Sequence, residues 1–422
     1  MSSARGSTPE RRQPRRREQS PEPAASAAVS IALVLANRDL LAEILLRVDS
    51  PTWLVRATLA SKSWLRVASG PAFVARFRAL HSPLILGLSV IGVQSTPRLL
   101  PFPQPPELAA AARLAGLAIG NLGRDSRCED YCNGCLLIEK RDDLSYVVAS
   151  LLHEGEGRQR ILPSPPRLGS ASDGPGLVFH SRHMFFFDDD ATSFLWLVMA
   201  CDATSVRASF SILRSGVWGV DQSAVREIQQ DPVHIVFGHK LLAGGKLYMS
   251  TSAGYILALD LATATFSAVE LPDGAAAAIF ATVKLPHGVE HRASLKFSRA
   301  QQSGFYLIYA MGLQLHVWHG DGAGQWVLVD TISVCKACAN LNVQTWIPDD
   351  EHTSPVWVVG VGDNAEFVIL ELVASGIVCC MQVSNRVVEK VADGGLQQSY
   401  GASVHPITMV WPPFLPVPPV PE

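Results

Sequence analysis

Apolar residues recur at helical spacing between Asn37 and His81, and this pattern predicts a small helical domain. The first helix covers DLLAEILLRV, with Asn37 as its predicted N-cap and Asp39 favouring the positive helix start. Its apolar residues form one continuous stripe, made of Leu40, Leu41, Ile44, Leu45 and Val48.

Two further helices are predicted to complete this domain. Ser50 and Pro51 predict the start of the second helix, which carries Leu54 and Leu59. Trp64 is expected to pack this helix against the others. A Ser-Gly-Pro break then precedes a third, short amphipathic helix. Three such short helices bury little apolar surface among themselves, so we expect part of the stripe to contact a partner or the following domain.

After Pro83 the pattern becomes strand-like, with short apolar runs bounded by Gly, Asp, Asn and Pro. A group of four runs recurs. The first group begins at Val233, Gly245, Tyr255 and Thr265, the second at Ala293, Gly304, Leu313 and Gln325, and the third at Val343, Pro355, Glu366 and Val378. Upstream runs such as CLLIEK, SYVVASLL and FLWLVMA are interpreted as degenerate copies.

This repeat predicts a β-propeller. Gly245, Gly304 and Pro355 begin corresponding runs and lie 59 and 51 residues apart, close to the unit of a four-stranded propeller blade. At about 55 residues per unit, residues 83–411 would form about six blades. The alternative is a pair of β-sandwiches, whose strands carry no such internal period.

The predicted fold class is therefore α+β and multidomain, with a three-helix domain over 35–82 and an all-β propeller over 83–411. Residues 1–34, rich in Arg, Pro, Ser and Ala, are expected to be a disordered arm, and 412–422 a Pro-rich tail. The arm contains RRQPRRR, which is either a solvated tail or a signal for nuclear import. Because this arginine cluster lies well upstream of the apolar stretch 24–36, we do not expect a secretory signal peptide.

Composition and net charge exclude several classes of function. With Lys+Arg 35 against Asp+Glu 38 and a net charge of −3, the chain is not a generally basic nucleic-acid binder. No uncharged apolar run reaches the ~18 residues of a membrane helix. Eight Cys in 422 residues are not a disulfide framework, so we expect reduced thiols and a cytoplasmic or nuclear location.

Two cysteine groups raise the question of zinc: Cys128, Cys132 and Cys135, and the pair Cys335 and Cys338. A structural zinc site needs four ligands that converge, and these groups lie ~200 residues apart on different predicted blades. We therefore expect buried thiols and no metal. In another strand Cys379 and Cys380 are adjacent, and they are expected to face opposite sides of the sheet.

Other polar clusters are also interpreted as structural. Asp188, Asp189 and Asp190 are expected in a turn, and HEGEG (153–157), with His153, Glu154 and Glu156, lacks the second His of a metalloprotease helix. Gly244 and Gly245 separate two strands, which predicts a hairpin and not a phosphate loop. We expect no catalytic residues, no cofactor and no enzymatic activity.

The helical segment resembles an F-box over about residues 35–81, whose family pattern runs through DLLxEILxRL, LxRAxLVCKxW and DPxF. The positions that match are Leu40, Leu41, Glu43, Ile44, Leu45, Arg47, Leu54, Arg56, Ala57, Leu59, Lys62, Trp64, Pro71 and Phe73. The usual Leu-Pro before the helix is missing, and Ala60-Ser61 replaces Val-Cys.

The remainder, including GGKLYMSTSAGYILALDL and GLQLHVWHGDGAGQWVLVDTISV, is similar to plant F-box proteins with an F-box-associated propeller. The resemblance implies a substrate receptor of an SCF-type cullin ubiquitin ligase. Its partners would be a Skp-type adaptor, the cullin scaffold and a target protein, with no nucleic acid or membrane. The residues expected to bind the adaptor are Leu40, Leu41, Ile44, Leu45, Leu54, Leu59 and Trp64.

Two alternatives stay open at this point. One is an interaction scaffold whose F-box no longer binds an adaptor. The other is a propeller lectin or enzyme acting on a small ligand in the central channel. That site needs charged or aromatic groups that converge at the channel, and the sequence shows no repeated carboxylate or Trp at equivalent blade positions.

Overall fold

The structure is a computed structural model. It describes residues 30–48, 51–81, 84–92, 96–103, 106, 108–152, 159–168, 179–188, 191–202, 204–227, 237–251, 253–278, 281–285, 288–292, 294–301, 303–349, 353–396 and 403–409. Most of the predicted N-terminal arm and the Pro-rich tail lie outside these ranges. The chain divides into two compact units, a helical unit that reaches His81 and a β unit from Ser82 to Val410.

Between Arg38 and Leu80 the described residues of the helical unit form four helices where three were predicted. They are α1 Arg38–Leu45, α2 Pro51–Ala60, α3 Lys62–Ala68 and α4 Pro71–Leu80, and residues 30–36 before them are also helical. Asn37 is the N-cap, as predicted, since its Oδ1 accepts from the N–H groups of Asp39 and Leu40 at 3.0 and 3.2 Å. Ser50, the predicted cap of the second helix, lies outside the described residues.

The extra helix arises at Ser61. Its backbone is extended and its Oγ accepts from the N–H of Ser63 at 3.2 Å, so it ends α2 and caps α3. Trp64 therefore belongs to a separate helix, α3, and packs at the edge of the unit's core. Leu41, Leu45, Leu54, Phe73 and Phe77 form the centre of that core.

The β unit is a propeller, and its described strands form six blades. Blade 1 holds β1 Leu84–Ile91, β2 Arg98–Pro101 and, from the other end of the unit, β26 Ser403–Met409. Blade 2 holds β3 Ser126–Cys132, β4 Cys135–Lys140, β5 Ser145–Ser150 and β6 Gln159–Ile161. Blade 3 holds β7 Phe179–Phe186, β8 Phe194–Cys201, β9 Ser205–Arg214, β10 Val217–Trp218 and β11 Gln222–Glu227.

The other three blades each have four antiparallel strands. Blade 4 holds β12 Phe237–Ala243, β13 Lys246–Thr251, β14 Tyr255–Asp260 and β15 Thr265–Glu270. A hairpin of β16 Ala281–Leu285 and β17 Gly288–Arg292 follows. Blade 5 holds β18 Leu295–Arg299, β19 Phe305–Met311, β20 Gln314–Gly320 and β21 Trp326–Ser333, and blade 6 holds β22 Val356–Val361, β23 Phe367–Leu372, β24 Ile377–Gln382 and β25 Val388–Ala392.

Both faces of each blade are buried. In β8, Phe194, Trp196 and Val198 pack towards blade 2, whereas the alternate residues Leu195 and Leu197 pack towards blade 4. A hydrophobic cluster fills the space between each pair of neighbouring blades, including blades 6 and 1. Because β26 pairs with β1, the two ends of the unit close the ring within one sheet.

The propeller prediction is confirmed: the second strand group corresponds to blade 5, and the last three runs of the first group correspond to β13, β14 and β15 of blade 4. The first run of the first group was placed at VHIVFG (233–238), of which 233–236 lie outside the described residues, and the structure places β12 at Phe237–Ala243. The third group is wrong by one strand. VQTWI (343–347) is not a strand. Its residues Val343 and Trp346 pack against the cluster between blades 5 and 6, and the first strand of blade 6 is β22. Its fourth strand, VEKVA, was missed because three of its five residues are polar or small.

Helices and 3-10 turns also occur in the β unit, where the sequence predicted only strands. The helix α5 Ala109–Gly120 turns its buried residues Ala115 and Ile119 into the cluster between blades 1 and 2. A short helix, α6 Val334–Ala337, follows β21, and 3-10 turns occur at Ala275–Ala278, Ala339–Leu341 and Asp363–Ala365. Among the described residues, none of the helices has the length and apolar character needed to cross a bilayer.

Candidate functional site

The structure divides the predicted adaptor-binding residues into a buried and an exposed group. Leu41 and Leu45 are 1% exposed and Leu54 is 0% exposed, because all three form the core of the helical unit itself. In this structure their side chains hold the helices together, and their direct contact with an adaptor stays a prediction. Trp64 is half-buried against the same core.

The exposed group consists of Leu40 (46%), Ile44 (41%) and Leu59 (74%). Leu40 and Ile44 are four residues apart and lie on one face of α1. On that helix Glu43 forms an ion pair with Arg76 of α4, with 2.6 Å between Oε1 and Nη2. The helix that carries Leu40 and Ile44 is therefore joined to α4 by this contact.

Sequence reasoning missed one exposed aromatic side chain of the helical unit, Trp53, which is 63% exposed on α2. Its indole ring lies 5.4 Å below the guanidinium of Arg56. The signal in the sequence was its position immediately before the buried Leu54. Neighbouring residues of a helix point in different directions, so Trp53 does not share the core-facing side of α2 with Leu54. We call Leu40, Ile44, Trp53 and Leu59 the outer apolar set, a group of side chains suited to contact with a partner.

The cysteines do not form a metal site among the residues that the structure describes. Cys132 and Cys135 face each other across the hairpin between β3 and β4, and Cys128 lies in the core between blades 1 and 2. Cys338 is hydrogen-bonded to Cys379, on blade 6, and not to Cys335. As predicted, Cys379 and Cys380 face opposite sides of β24.

Two turn predictions are confirmed. Asp188 accepts hydrogen bonds from the N–H groups of Thr192 and Ser193 at 3.0 and 3.3 Å, so it closes the turn between β7 and β8. Gly244 and Gly245 form the hairpin between β12 and β13, both with the positive φ that such a turn requires. The other acidic and histidine candidates, 153–156 and 189–190, lie outside the described residues.

The sequence also gave no sign of the charged groups that meet at the propeller axis. Each sheet has two edge strands, and the one that faces the propeller axis is β26, β3, β7, β12, β18 or β22 in the respective blade. We call these strands the inner ring; they contact one another in the pairs β26–β3, β3–β7, β12–β18, β18–β22 and β22–β26.

Inner-ring residues from different blades form ion pairs and close polar contacts. The carboxylate of Glu129 on β3 is 2% exposed; its Oε1 lies 3.0 Å from Nε of Arg127 and its Oε2 lies 3.5 Å from Nδ1 of His183 on β7. Burial lowers the pKa of Lys240 on β12 to about 8, and the charge of Glu129 opposes that shift. These residues lie in runs more than fifty positions apart, which is why no motif announced them.

A comparison with curated proteins found no match to the chain. Among solved structures, YCF48 bound to D1 peptide has 11% identity and a TM-score of 0.34, covering 73% of this chain and 81% of its own. The propeller domain of Cps50 (Swd1) from Myceliophteria thermophila has 10% identity and a TM-score of 0.33, covering 64% and 86%.

The family comparison is more informative. The model described as "F-box protein AT5G49610-like, beta-propeller" matches residues 127–279 and 274–415, which together make up more than half of the chain. The matched region begins in β3 and runs through β26, so it includes blades 2 to 6 and the strand that closes the ring. The chain belongs to this family of F-box-protein β-propellers.

Proposed function

We propose that this protein is the substrate-recognition subunit of an SCF-type cullin ubiquitin ligase. In this proposal the helical unit binds a Skp-type adaptor and the propeller binds the target protein. The observation that carries the proposal is membership of a propeller family named for F-box proteins, joined to a helical segment that resembles an F-box.

The outer apolar set supplies the adaptor contact in this proposal. Exposed aliphatic and aromatic side chains in a small unit are poorly accommodated by water, and their burial in an interface would be favourable. Leu41, Leu45 and Leu54 support the contact indirectly, because they fix the helices that carry Leu40 and Ile44.

The propeller would act as a rigid support whose connecting loops select the target. The six apolar clusters make the blades interchangeable as scaffold, whereas the loops differ in length and charge. In the loop between β20 and β21, for example, Asp321 accepts from the N–H groups of Ala323 and Gln325 at 2.7 and 3.1 Å and holds a tight turn. The receptor itself would catalyse nothing; it would raise the local concentration of the target beside the ubiquitin-charged enzyme.

The first experiment measures binding of a purified Skp-type adaptor to the full chain by calorimetry. The test variant is Leu40→Ala with Ile44→Ala, and the matched control is Leu117→Ala with Leu328→Ala, which truncates two exposed leucines of the β unit (62% and 47% exposed). Truncation of an interface anchor costs about 1–2 kcal/mol, so we expect the test variant to bind at least about tenfold more weakly and the control to bind normally.

Two results would count against the proposal. If the unmodified chain does not bind the adaptor, the receptor role is rejected and an interaction scaffold becomes the better description. If the chain binds but the test variant binds equally well with unchanged helical content, the adaptor contact lies elsewhere on the helical unit.

A further inference from the structure

Three cysteines lie close together where the chain passes from blade 5 to blade 6. Cys335 belongs to the short helix α6, Cys338 follows that helix as its C-cap, and Cys379 lies on β24 of blade 6. The helical turn is closed between the first two, since the N–H of Cys338 donates to the carbonyl of Val334 at 2.8 Å. Residues three positions apart on a helix have about 5–6 Å between their Cβ atoms, so Cys335 and Cys338 are neighbours. We call these three cysteines the thiol cluster.

A hydrogen bond between Cys338 and Cys379 connects the helical turn to blade 6. Both cysteines are 0% exposed, and both pack in the hydrophobic cluster between blades 5 and 6. The segment that carries Cys338 is fixed on the same blade by a second contact, in which Nδ2 of Asn340 donates to the carbonyl of Val388 at 3.0 Å. The two thiols therefore lie against each other in a closed, apolar environment.

The three thiols differ in accessibility and in acidity. Cys335 is half-buried, so it is the member of the cluster that a dissolved molecule can reach. The hydrogen bond with Cys379 lowers the pKa of Cys338, and the same hydrogen bond, together with burial, raises the pKa of Cys379. These directions are those of a Cys379 S–H that donates to the sulfur of Cys338. Cys338 is therefore the thiol that ionises most readily, although it is closed to solvent.

We propose that Cys335 and Cys338 form a reversible disulfide by exchange with a small soluble disulfide of the glutathione class. In the first step the thiolate of Cys335 attacks one sulfur of the soluble disulfide, forms a mixed disulfide and releases one thiolate. In the second step the thiolate of Cys338 attacks Sγ of Cys335, forms the internal disulfide and releases the other thiolate. The released thiolates take up the two protons that the cysteines lost. Two protein thiols are oxidised, and one soluble disulfide is reduced to two thiols.

Cys379 acts in this reaction as a positioning residue. Its S–H stabilises the thiolate of Cys338, which is the nucleophile of the second step, and it takes no part in the bonds that form and break. A thiolate is the reactive form of a cysteine, so this hydrogen bond speeds the release of the second small thiol. The site belongs to the β unit, and the reaction needs neither the adaptor nor a target protein.

Other cysteines of the chain provide comparisons within the same protein. Cys380 is adjacent to Cys379 in the sequence but packs between blades 6 and 1, on the opposite face of β24. Cys132 and Cys135 have the same spacing as the proposed pair, but they face each other across a hairpin of blade 2, where Sγ of Cys132 donates to the carbonyl of Asp188 at 3.8 Å. Cys135 is half-buried like Cys335, which makes it the matched control thiol.

The first test is a redox equilibrium, which needs no variant and so does not depend on how substitutions affect folding. The reduced full chain is incubated without oxygen in buffers of reduced and oxidised glutathione, at one fixed ratio and at increasing total concentration. An internal disulfide releases two glutathione thiols for each oxidised glutathione consumed, so its fraction should fall as the total concentration rises. A mixed disulfide releases one, so its fraction would stay constant.

Peptide mapping by mass spectrometry identifies the bond that has formed. The remaining thiols are alkylated, and the chain is cleaved after Lys336, Glu351 and Glu371, which places the three members of the thiol cluster on separate peptides. We expect the peptide that ends at Lys336 to be linked to the peptide that begins at Ala337. A thiol reductant should separate the two again.

Single substitutions separate the two steps of the exchange. Cys338→Ser blocks the second step, so Cys335 should retain one bound glutathione. Cys335→Ser removes the accessible thiol, so neither a mixed nor an internal disulfide should form in the cluster. Cys135→Ser is the matched control and should leave the bond between Cys335 and Cys338 unchanged. Cys379→Ala removes the hydrogen-bond donor and should lengthen the lifetime of the mixed disulfide several-fold, whereas Cys379→Ser retains a donor and should restore most of the rate.

Several results would overturn the proposal. One is the absence of an internal disulfide in the unmodified chain, and another is a bond that links Cys338 to Cys379 and leaves Cys335 reduced. An oxidised fraction that does not change with total glutathione at the fixed ratio would identify a stable mixed disulfide and would also reject it. Equal lifetimes of the mixed disulfide in Cys379→Ala, Cys379→Ser and the unmodified chain would remove the positioning role of Cys379.

Discussion

Truncation of Phe305 tests whether the hydrophobic cluster between blades 4 and 5 stabilises the propeller as one cooperative unit. Phe305 begins β19 and is 0% exposed. Its ring centroid lies 4.3 Å from that of Tyr248, 5.4 Å from Phe297 and 5.5 Å from Trp326, the last two edge-on. Tyr248 belongs to blade 4, so the ring joins the two blades.

The expected magnitude follows from this burial. Truncation of a buried Phe to Ala costs about 3–5 kcal/mol in free energy of unfolding, and the loss of three aromatic contacts places Phe305→Ala in the upper part of that range. Phe305→Leu keeps most of the volume, so it should cost about 1–2 kcal/mol. A domain stability of about 5–15 kcal/mol leaves the Ala variant folded in water.

Urea unfolding of the full chain, followed by circular dichroism in the β region, measures these values. Val327→Ala is the matched control, since this residue of β21 is 64% exposed and its truncation should change the free energy of unfolding by less than about 0.5 kcal/mol. A loss below about 1 kcal/mol for Phe305→Ala would refute the reasoning. Separate transitions for individual blades would refute the cooperativity.

Three other predictions concern charges and domain independence. The N–H of Thr204 and its neighbours lower the pKa of Asp202 to about 2, so Asp202 stabilises the fold above about pH 4 and loses that effect as the pH falls through about 2; urea midpoints of Asp202→Asn and the unmodified chain should differ at pH 6 and converge only at about pH 2 and below. Arg386 joins blade 6 to Asp330 of blade 5 at 2.7 and 3.0 Å, but these side chains are 44% and 25% exposed, so a double-mutant cycle should give less than about 1 kcal/mol, diminished in 1 M salt. Deletion of residues 1–82 should leave a domain with the β-sheet circular dichroism of a propeller that no longer binds the adaptor, and loss of that spectrum would contradict the independence of the β unit.

The fold could be predicted from the sequence in the strands where burial on both faces of the blade determines nearly every residue. A blade buried on both faces requires near-continuous apolar strands, so FLWLVMA and EFVILEL were recognisable without any alignment. Outer strands such as VEKVA pair with only one strand of their sheet and tolerate polar residues, so their signal was weak. The helix α5 was missed for a different reason: its alanines are small enough to lie close to blade 1, and they show little amphipathic contrast.

The candidate site was less predictable than the fold. Helical spacing placed Leu40, Leu41, Ile44 and Leu45 on one stripe, but a stripe does not say which of its edges the neighbouring helices cover. That depended on the break at Ser61, which redirects α3 and α4 over Leu41 and Leu45 and leaves Leu40 and Ile44 in solvent. The contact between Glu129 on β3 and His183 on β7 could not be predicted, because the two residues are distant in the sequence and meet only when blades 2 and 3 pack together.

Ring closure also explains why polar residues collect at the axis. Each inner-ring strand has a sheet partner on one side only, and charged residues or proline on such an edge prevent pairing with another strand. Lys240, Lys296 and Pro406, on β12, β18 and β26, meet this need. Edge protection, however, is satisfied by charges of either sign, and opposite charges on facing strands would cancel at lower electrostatic cost. Glu129 on β3 is an example, since its carboxylate lies 3.0 Å from Nε of Arg127 on the same strand and 3.5 Å from Nδ1 of His183 on the facing strand β7.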